Sequence, residues 1–222
     1  MPVKCLWALR AAGTLLALVS LVFVGQRLLQ YGAELDVSAM TFGQWSMVLL
    51  LSVFYGLANT LLAFAWWQLL RFFGVRHCPV SALRIYGVSQ LAKYVPGNIF
   101  QLAGRQALGM ANGLAARPLA KSMILELILI AIAGLLFGAL VLPVWLDLSG
   151  ADSLGLLLVM TLTLTVMLYR QWAASVAFAL LALVLFLGLS SLIFVGLIAF
   201  TDGEPIPMLV VMGASFLNFT LA

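Results

Sequence analysis

Apolar residues fall along this chain in long blocks broken by short polar connections, and the blocks set the predicted elements. The first, Ala11–Val24, is bounded by Arg10 and Arg27 and predicts a helix over 11–27. Lys4 and Arg10 ahead of it resemble the start of a signal peptide. No small-x-small cleavage site follows, because Gln26-Arg27-Leu28-Leu29-Gln30 intervenes, so the block reads as an uncleaved first span. The second block is free of charge from Val37 to Leu70, with its apolar core over 45–70. A third covers 123–144 and is interrupted only by Glu126; a fourth covers 154–169. The fifth, 173–200, is long enough to span with tilt, and the sixth is 206–222. A span needs about 20 residues, so these blocks predict about six crossings within one membrane domain, 1–222.

Composition fixes the class. Of 222 residues, 65% are apolar and 8% are charged, and the mean hydropathy is +1.19. A soluble domain needs about 25% charged residues to clothe its surface. A soluble globule, a disordered chain and a disulfide scaffold are therefore excluded. Two cysteines far apart, Cys5 and Cys78, make no framework, and the single histidine, His77, removes most zinc and His-based chemistry. No cofactor or metal is expected.

Charge placement gives direction. Lys4 and Arg10 precede the first span; Glu34 and Asp36 follow it. Then come Arg71, Arg76, Arg84, Lys93, Arg105, Arg117 and Lys121 with no acid among them, next Asp147 and Asp152, then Arg170, then Asp202 and Glu204. Ten of the 11 basic residues fall on alternate sides, and six of the seven acids fall on the other. Basic loops stay cytoplasmic, which places the N-terminus inside.

The same count constrains 71–121, which begins and ends basic and so returns to the side it left. Its halves, Ser81–Val95 and Asn98–Asn112, are separated by Pro96-Gly97. Each half as a helix is about 22 Å long, short of a hydrocarbon core of roughly 30 Å. Proline and glycine break the helix where the chain must turn. Two half-helices forming a re-entrant hairpin over 81–112 satisfy length, charge and breaker together. A pair of amphipathic helices on the cytoplasmic surface is the alternative. The predicted fold is thus an all-α membrane protein, a polytopic bundle of about six transmembrane helices with a re-entrant helical hairpin.

Candidate chemistry gathers on that hairpin. Asn98, Gln101, Arg105 and Asn112 recur at helical steps on one face, and Gly109 on the same face leaves room for close approach. Asn98 as N-cap would place free backbone N–H groups beside Pro96-Gly97, a half-helix terminus suited to an anion. In the first half, Ile85, Val88, Ala92 and Val95 form an apolar stripe, with Ser89, Gln90 and Lys93 as a polar patch beside it. One reading is a basic cleft that receives an anionic headgroup; the other is a set of interfacial anchors, which suits Arg71, Arg76 and Arg117. Glu126 lies about one turn inside its span, where a bare carboxylate is costly. It is expected to face a hydrated cleft, to be protonated, or to pair with Arg105, Lys93 or the nearby Lys121. Gly134-x-x-x-Gly138 suits close helix packing. No P-loop, HExxH helix, Gly-x-Ser-x-Gly elbow or Asp-rich diphosphate motif occurs, so an enzyme is not expected. Anionic lipid and topology account for the basic residues better than nucleic acid does.

Ala92-Lys93-Tyr94-Val95-Pro96-Gly97-Asn98-Ile99, then Gly104-Arg105, then Ser122 and Glu126, resemble the flippase-like membrane family that includes the transmembrane region of lysylphosphatidylglycerol synthases. That family's pattern is a Lys-Tyr-x-Pro-Gly turn, a downstream Gly-Arg and an acid in the next helix. The resemblance centres on 81–130; elsewhere only hydropathy agrees. It implies Lys93, Tyr94, Pro96, Gly97, Arg105 and Glu126 as site residues and a bacterial inner-membrane location. The synthases' soluble aminoacyl-transfer domain has no counterpart here, so lipid lysylation is not implied. Members usually continue through further helices, so the chain reads as a truncated or divergent member, or as one whose cavity a partner completes.

The expected function is to bind, and to translocate, an anionic phospholipid or a polyprenyl-phosphate-linked glycan, the headgroup being held by Lys93, Arg105 and the half-helix N-terminus. The alternative is a non-catalytic membrane subunit that assists a glycosyltransferase or lipid-modifying enzyme. Expected partners are membrane lipids and a membrane-protein partner or second copy, with no nucleic acid.

Overall fold

The computed structural model describes residues 41–94, 99–138 and 150–202, together with the single helical positions 18, 22, 25, 26, 29 and 30. These residues form six α-helices and no strand: α1 (Phe42–Phe72), α2 (Pro79–Leu91), α3 (Ile99–Ala111), α4 (Ala116–Gly138), α5 (Gly150–Gln171) and α6 (Ala174–Asp202). A 3-10 turn, Ala92–Tyr94, extends α2. Four stretches, α1, α4, Leu154–Gln171 of α5 and Ala174–Leu197 of α6, are long and apolar enough to cross a membrane. Large apolar side chains cover their outer faces, as at Leu135 (73% exposed), Leu162 (65%) and Leu49 (68%). In water such a surface would aggregate; in a bilayer it meets acyl chains. This marks the chain as a helical membrane protein. The predicted span 206–222 lies outside the described residues, as do most of 11–27 and the end of 123–144.

Helix ends differ from the hydropathy boundaries for local reasons. α1 begins at Phe42, ahead of the apolar core at 45, because Thr41 and Gln44 form a capping box: Thr41 N–H donates to Gln44 Oε1 at 2.7 Å, and Gln44 N–H donates to Thr41 Oγ1 at 3.4 Å. α4 begins at Ala116, seven residues before the predicted 123. Arg117 and Lys121 lower the hydropathy without opposing the helix, and Pro118 sits in the first turn, where its missing N–H is no loss. Glu126 is therefore about 15 Å along α4, not one turn inside it. α1 and α3 stop in the same way. Gly74 and Gly113 adopt the left-handed conformation (φ 77° and 84°). Val75 N–H returns to Leu70 O at 2.9 Å and Leu114 N–H to Gly109 O at 3.0 Å. These are Schellman closures, which turn the chain sharply at one end of the bundle.

The helix directions follow from particular contacts. α1 and α6 form the largest interface and run antiparallel: a Cβ at Gly196 would lie 3.9 Å from Leu51, Tyr55 and Phe186 have ring centroids 6.3 Å apart, and Phe72 stacks on Trp172 at 6.2 Å. Small buried residues, including Ala58 and Ala65 on α1 and Ala179 and Ala182 on α6, let the two backbones approach. Close packing of this kind holds helices together in lipid, where burial from water gives no drive. Trp66, Leu69, Leu129, Leu180, Leu183 and Phe186 fill the core. The ends of α1, α3 and α5 and the starts of α2, α4 and α6 meet at one end of the bundle, where Gln106 Nε2 donates to Ala116 O at 3.0 Å and Trp67 Nε1 to His77 O at 2.9 Å. Arg71, Arg76, Arg117 and Arg170 are exposed near that end. α2 and α3 form an antiparallel pair laid against α1 and α4.

Candidate functional site

The pair α2–α3 carries polar side chains into a bundle otherwise made of leucine and alanine. Arg105 on α3 and Glu126 on α4 are 1% and 2% exposed, and Arg105 Nη1 donates to Glu126 Oε2 in a buried ion pair. The other carboxylate oxygen accepts from Tyr86 on α2, Oη to Oε1 at 2.8 Å. The Arg105 guanidinium lies 4.0 Å from the Tyr86 ring centroid and 5.5 Å from that of Trp66 on α1. Trp66 Nε1 in turn donates to Ser122 Oγ at 3.1 Å. Four helices are thus joined through one network of charge, hydrogen bond and ring. A buried guanidinium needs such company, since an uncompensated charge away from water costs several kcal/mol. The rings add cation–π attraction, which is strongest where water is excluded.

Tyr86, Arg105 and Glu126 of this network line a cleft of about 750 Å³ between α1, α2, α3 and α4. Asn59 and Thr60 of α1, Gln90 of α2, Lys93 of the following turn and Gln101 of α3 also line it. Leu83, Leu91, Leu127 and Ile130 supply the apolar part. Gly56 and Gly87 face open space: a Cβ added at either would meet no neighbour within 4 Å. Near the end of α3, α3 and α4 touch closely: a Cβ at Gly109 would lie 2.8 Å from Leu119 Cδ1. Lys93 and Tyr86 lie outside the four candidate spans. Burial lowers the Lys93 ammonium below the usual lysine value. Burial, then the Glu126 charge, raises the Tyr86 phenol well above its own.

Of the residues predicted from sequence, Lys93, Gln101, Arg105 and Glu126 come together around this cleft. The Arg105–Glu126 pairing is one of the alternatives set out above; Lys121 is exposed instead. Pro96, Gly97 and Asn98 lie outside the described residues, and of Tyr94 the backbone alone is described, in the 3-10 turn. Asn112 shares the face of Arg105 by spacing, yet it is exposed and donates to its own helix at Leu108 O, 2.7 Å. Two network members escaped the sequence reading. Tyr86 stands four residues before Gln90 and seven before Lys93, so the same helical spacing that marked the polar patch extends to it. Trp66, which reads from sequence as a belt or packing residue, is fully buried. Asn59-Thr60 in a charge-free span was a further legible signal.

A scan against protein-family models and searches among curated proteins and solved structures each find no match.

Proposed function

We propose that this chain is a multi-pass protein of a bacterial inner membrane that binds an anionic phospholipid or polyprenyl-phosphate-linked glycan in the α1–α4 cleft and carries its headgroup across the bilayer. One observation carries the reading: a cleft inside an apolar bundle is lined by Lys93, Asn59, Gln90 and Gln101 together with leucines, which matches an amphiphile. The headgroup meets Lys93, Gln90, Gln101 and Asn59, while the tails remain among leucines and lipid. In this reading the chain crosses six times with its N-terminus cytoplasmic, and α2–α3 is a re-entrant hairpin of the flippase-like family. Supporting that part, each of the two helices has 13 residues. Each is thus about 20 Å long, against roughly 30 Å of hydrocarbon. Lys93 at its tip is about 21 Å along the chain axis from Pro79, close to the level of Asn59 within α1.

Reconstitution tests it. Vesicles containing the purified chain and a headgroup-labelled phosphatidylglycerol are treated with an impermeant quencher, which reads inner-leaflet lipid that has crossed. Wild type is expected to expose the inner pool and Gly87→Leu, which fills the cleft, to lose most of that rate. Equal rates for the two would refute the cleft as the route. No transfer by the isolated wild type would favour a subunit that assists a glycosyltransferase or lipid-modifying enzyme.

A further inference from the structure

Arg105 and Glu126 line the cleft, yet each neutralises the other. A cationic site built only to attract an anion has no need of an acid bound to its strongest cation. The guanidinium is not saturated: Nη1 is held by Glu126, while Nε is buried without a hydrogen-bond partner. A buried site resists any change in net charge, because an uncompensated charge there costs several kcal/mol. An anion arriving beside Arg105 therefore stays out, or Glu126 gives up its charge as the anion enters.

We infer that the pair is exchangeable: the anionic group of the bound lipid replaces Glu126 on Arg105, and the displaced carboxylate takes up one proton. This rests on the lipid-binding reading above and adds its coupling. Before exchange the site holds a guanidinium and a carboxylate. Afterwards it holds the guanidinium paired with the lipid phosphodiester, and Glu126 as a neutral acid whose proton comes from solvent. Over Arg105, Glu126 and the phosphodiester the sum is zero in both states, Lys93 adding the same single positive charge to each, and the only bond formed is O–H on Glu126. Tyr86 already donates to Oε1, so it keeps holding the carboxyl while Oε2, released by Arg105, carries the proton. Among the described residues, the titratable groups that line the cleft with Glu126 are Tyr55 of α1, Tyr86 of α2, Lys93 of the turn after it and Arg105 of α3; Asp152, Tyr169 and Arg170 of α5, which also packs on α4, do not line it. α1 otherwise offers the uncharged Trp66, Asn59 and Thr60, α4 itself offers Ser122, and α6 has no titratable residue before Asp202. No second carboxylate in that set competes for the proton. Each anion then enters with one proton, and a proton gradient drives the exchange.

Calorimetric titration of the detergent-solubilised full chain with dihexanoyl phosphatidylglycerol, in PIPES and in Tris, counts the protons taken up. Wild type is expected to take up one proton per lipid, with affinity falling about tenfold for each pH unit over which that uptake holds. The phosphodiester itself does not titrate near neutral pH. Binding by wild type with no proton uptake and a flat pH profile overturns the exchange and leaves lipid binding standing. Absence of binding overturns the lipid-binding reading, and the exchange with it. Glu126→Gln is expected to bind, if folded, without proton uptake; a retained tenfold slope in that variant overturns the assignment to Glu126. Where that variant does not fold, the wild-type proton count decides alone.

Discussion

Glu126→Gln is the sharpest test of the buried network. The amide keeps the side-chain shape and an oxygen for the Tyr86 hydroxyl, but it leaves Arg105, 1% exposed, without a counter-charge. A guanidinium cannot shed its proton, so the expected cost is that of a broken buried pair, about 3–5 kcal/mol. Arg105→Met is expected to cost less, because an abandoned carboxyl group is able to take a proton and become neutral. Removing both charges reverses most of the loss: an apolar pair of similar volume is often neutral or better. Tyr86 would then lack its acceptor, worth about 1–3 kcal/mol. The triple variant Tyr86→Phe/Arg105→Met/Glu126→Leu should therefore return to within about 2 kcal/mol of wild type. Unfolding free energies from denaturant titration in mixed micelles, followed by circular dichroism, give the comparison. Should Glu126→Gln lie within about 1 kcal/mol of wild type, or should the triple variant be as unstable as the single one, the pair does not hold α3 to α4.

Other expectations are smaller. Gly87→Leu and Gly56→Leu place bulk in the cleft from positions where the Cβ meets no neighbour, so thermal midpoints should stay near wild type while phosphatidylglycerol affinity falls at least about tenfold, roughly 1.4 kcal/mol. Gly109→Val drives a side chain into the fully buried Leu119 and should cost about 1–3 kcal/mol, read by the same denaturant titration. Trp66→Phe keeps a ring near Arg105 but loses the bond to Ser122, for about 1 kcal/mol. Lys93→Gln should weaken phosphatidylglycerol binding by about tenfold and flatten its salt dependence, because it removes a charge and keeps the stem.

Four of the six predicted spans have counterparts among the described residues, and these were legible because their signal is summed over about 20 residues, and a misplaced charge barely alters it. Their ends were not, because caps act through two or three residues: Thr41 with Gln44 lengthens α1, and Arg117 with Lys121 hid the first two turns of α4. The hairpin halves were readable from length and from Pro96-Gly97, within a few residues of α2 and α3. Arg105 and Glu126 stood out as charges where charge is expensive. Tyr86 and Trp66 did not, since an aromatic ring in an apolar run is ordinary packing until its partner is known. Whether Glu126 meets Arg105, Lys93 or Lys121 depends on how α3 lies on α4. That is set by Gly109 against Leu119 and by the Schellman turn at Gly113, neither of which hydropathy records.

The short pair and the buried acid account for each other. A span carrying Glu126 about 15 Å along its length needs a cation at that depth. A full span with an arginine at its middle would have to insert that charge into lipid alone. In the re-entrant reading proposed above, a helix of 13 residues that returns to its own side brings Arg105 in along the protein wall, with Tyr86 and Trp66 already in place to receive it. In that reading the turn after α2 carries Lys93 deeper still, where no full helix is required to cross. The short pair is then the means by which an apolar bundle acquires an internal counter-charge and, beside it, a polar cleft. If so, lengthening the hairpin by one helical turn at Val88 should move Lys93 about 5.4 Å and abolish lipid transfer. Because Tyr86 and Arg105 keep their places on the basic side of that insertion, the buried pair should survive, and the denaturant midpoint should stay near wild type.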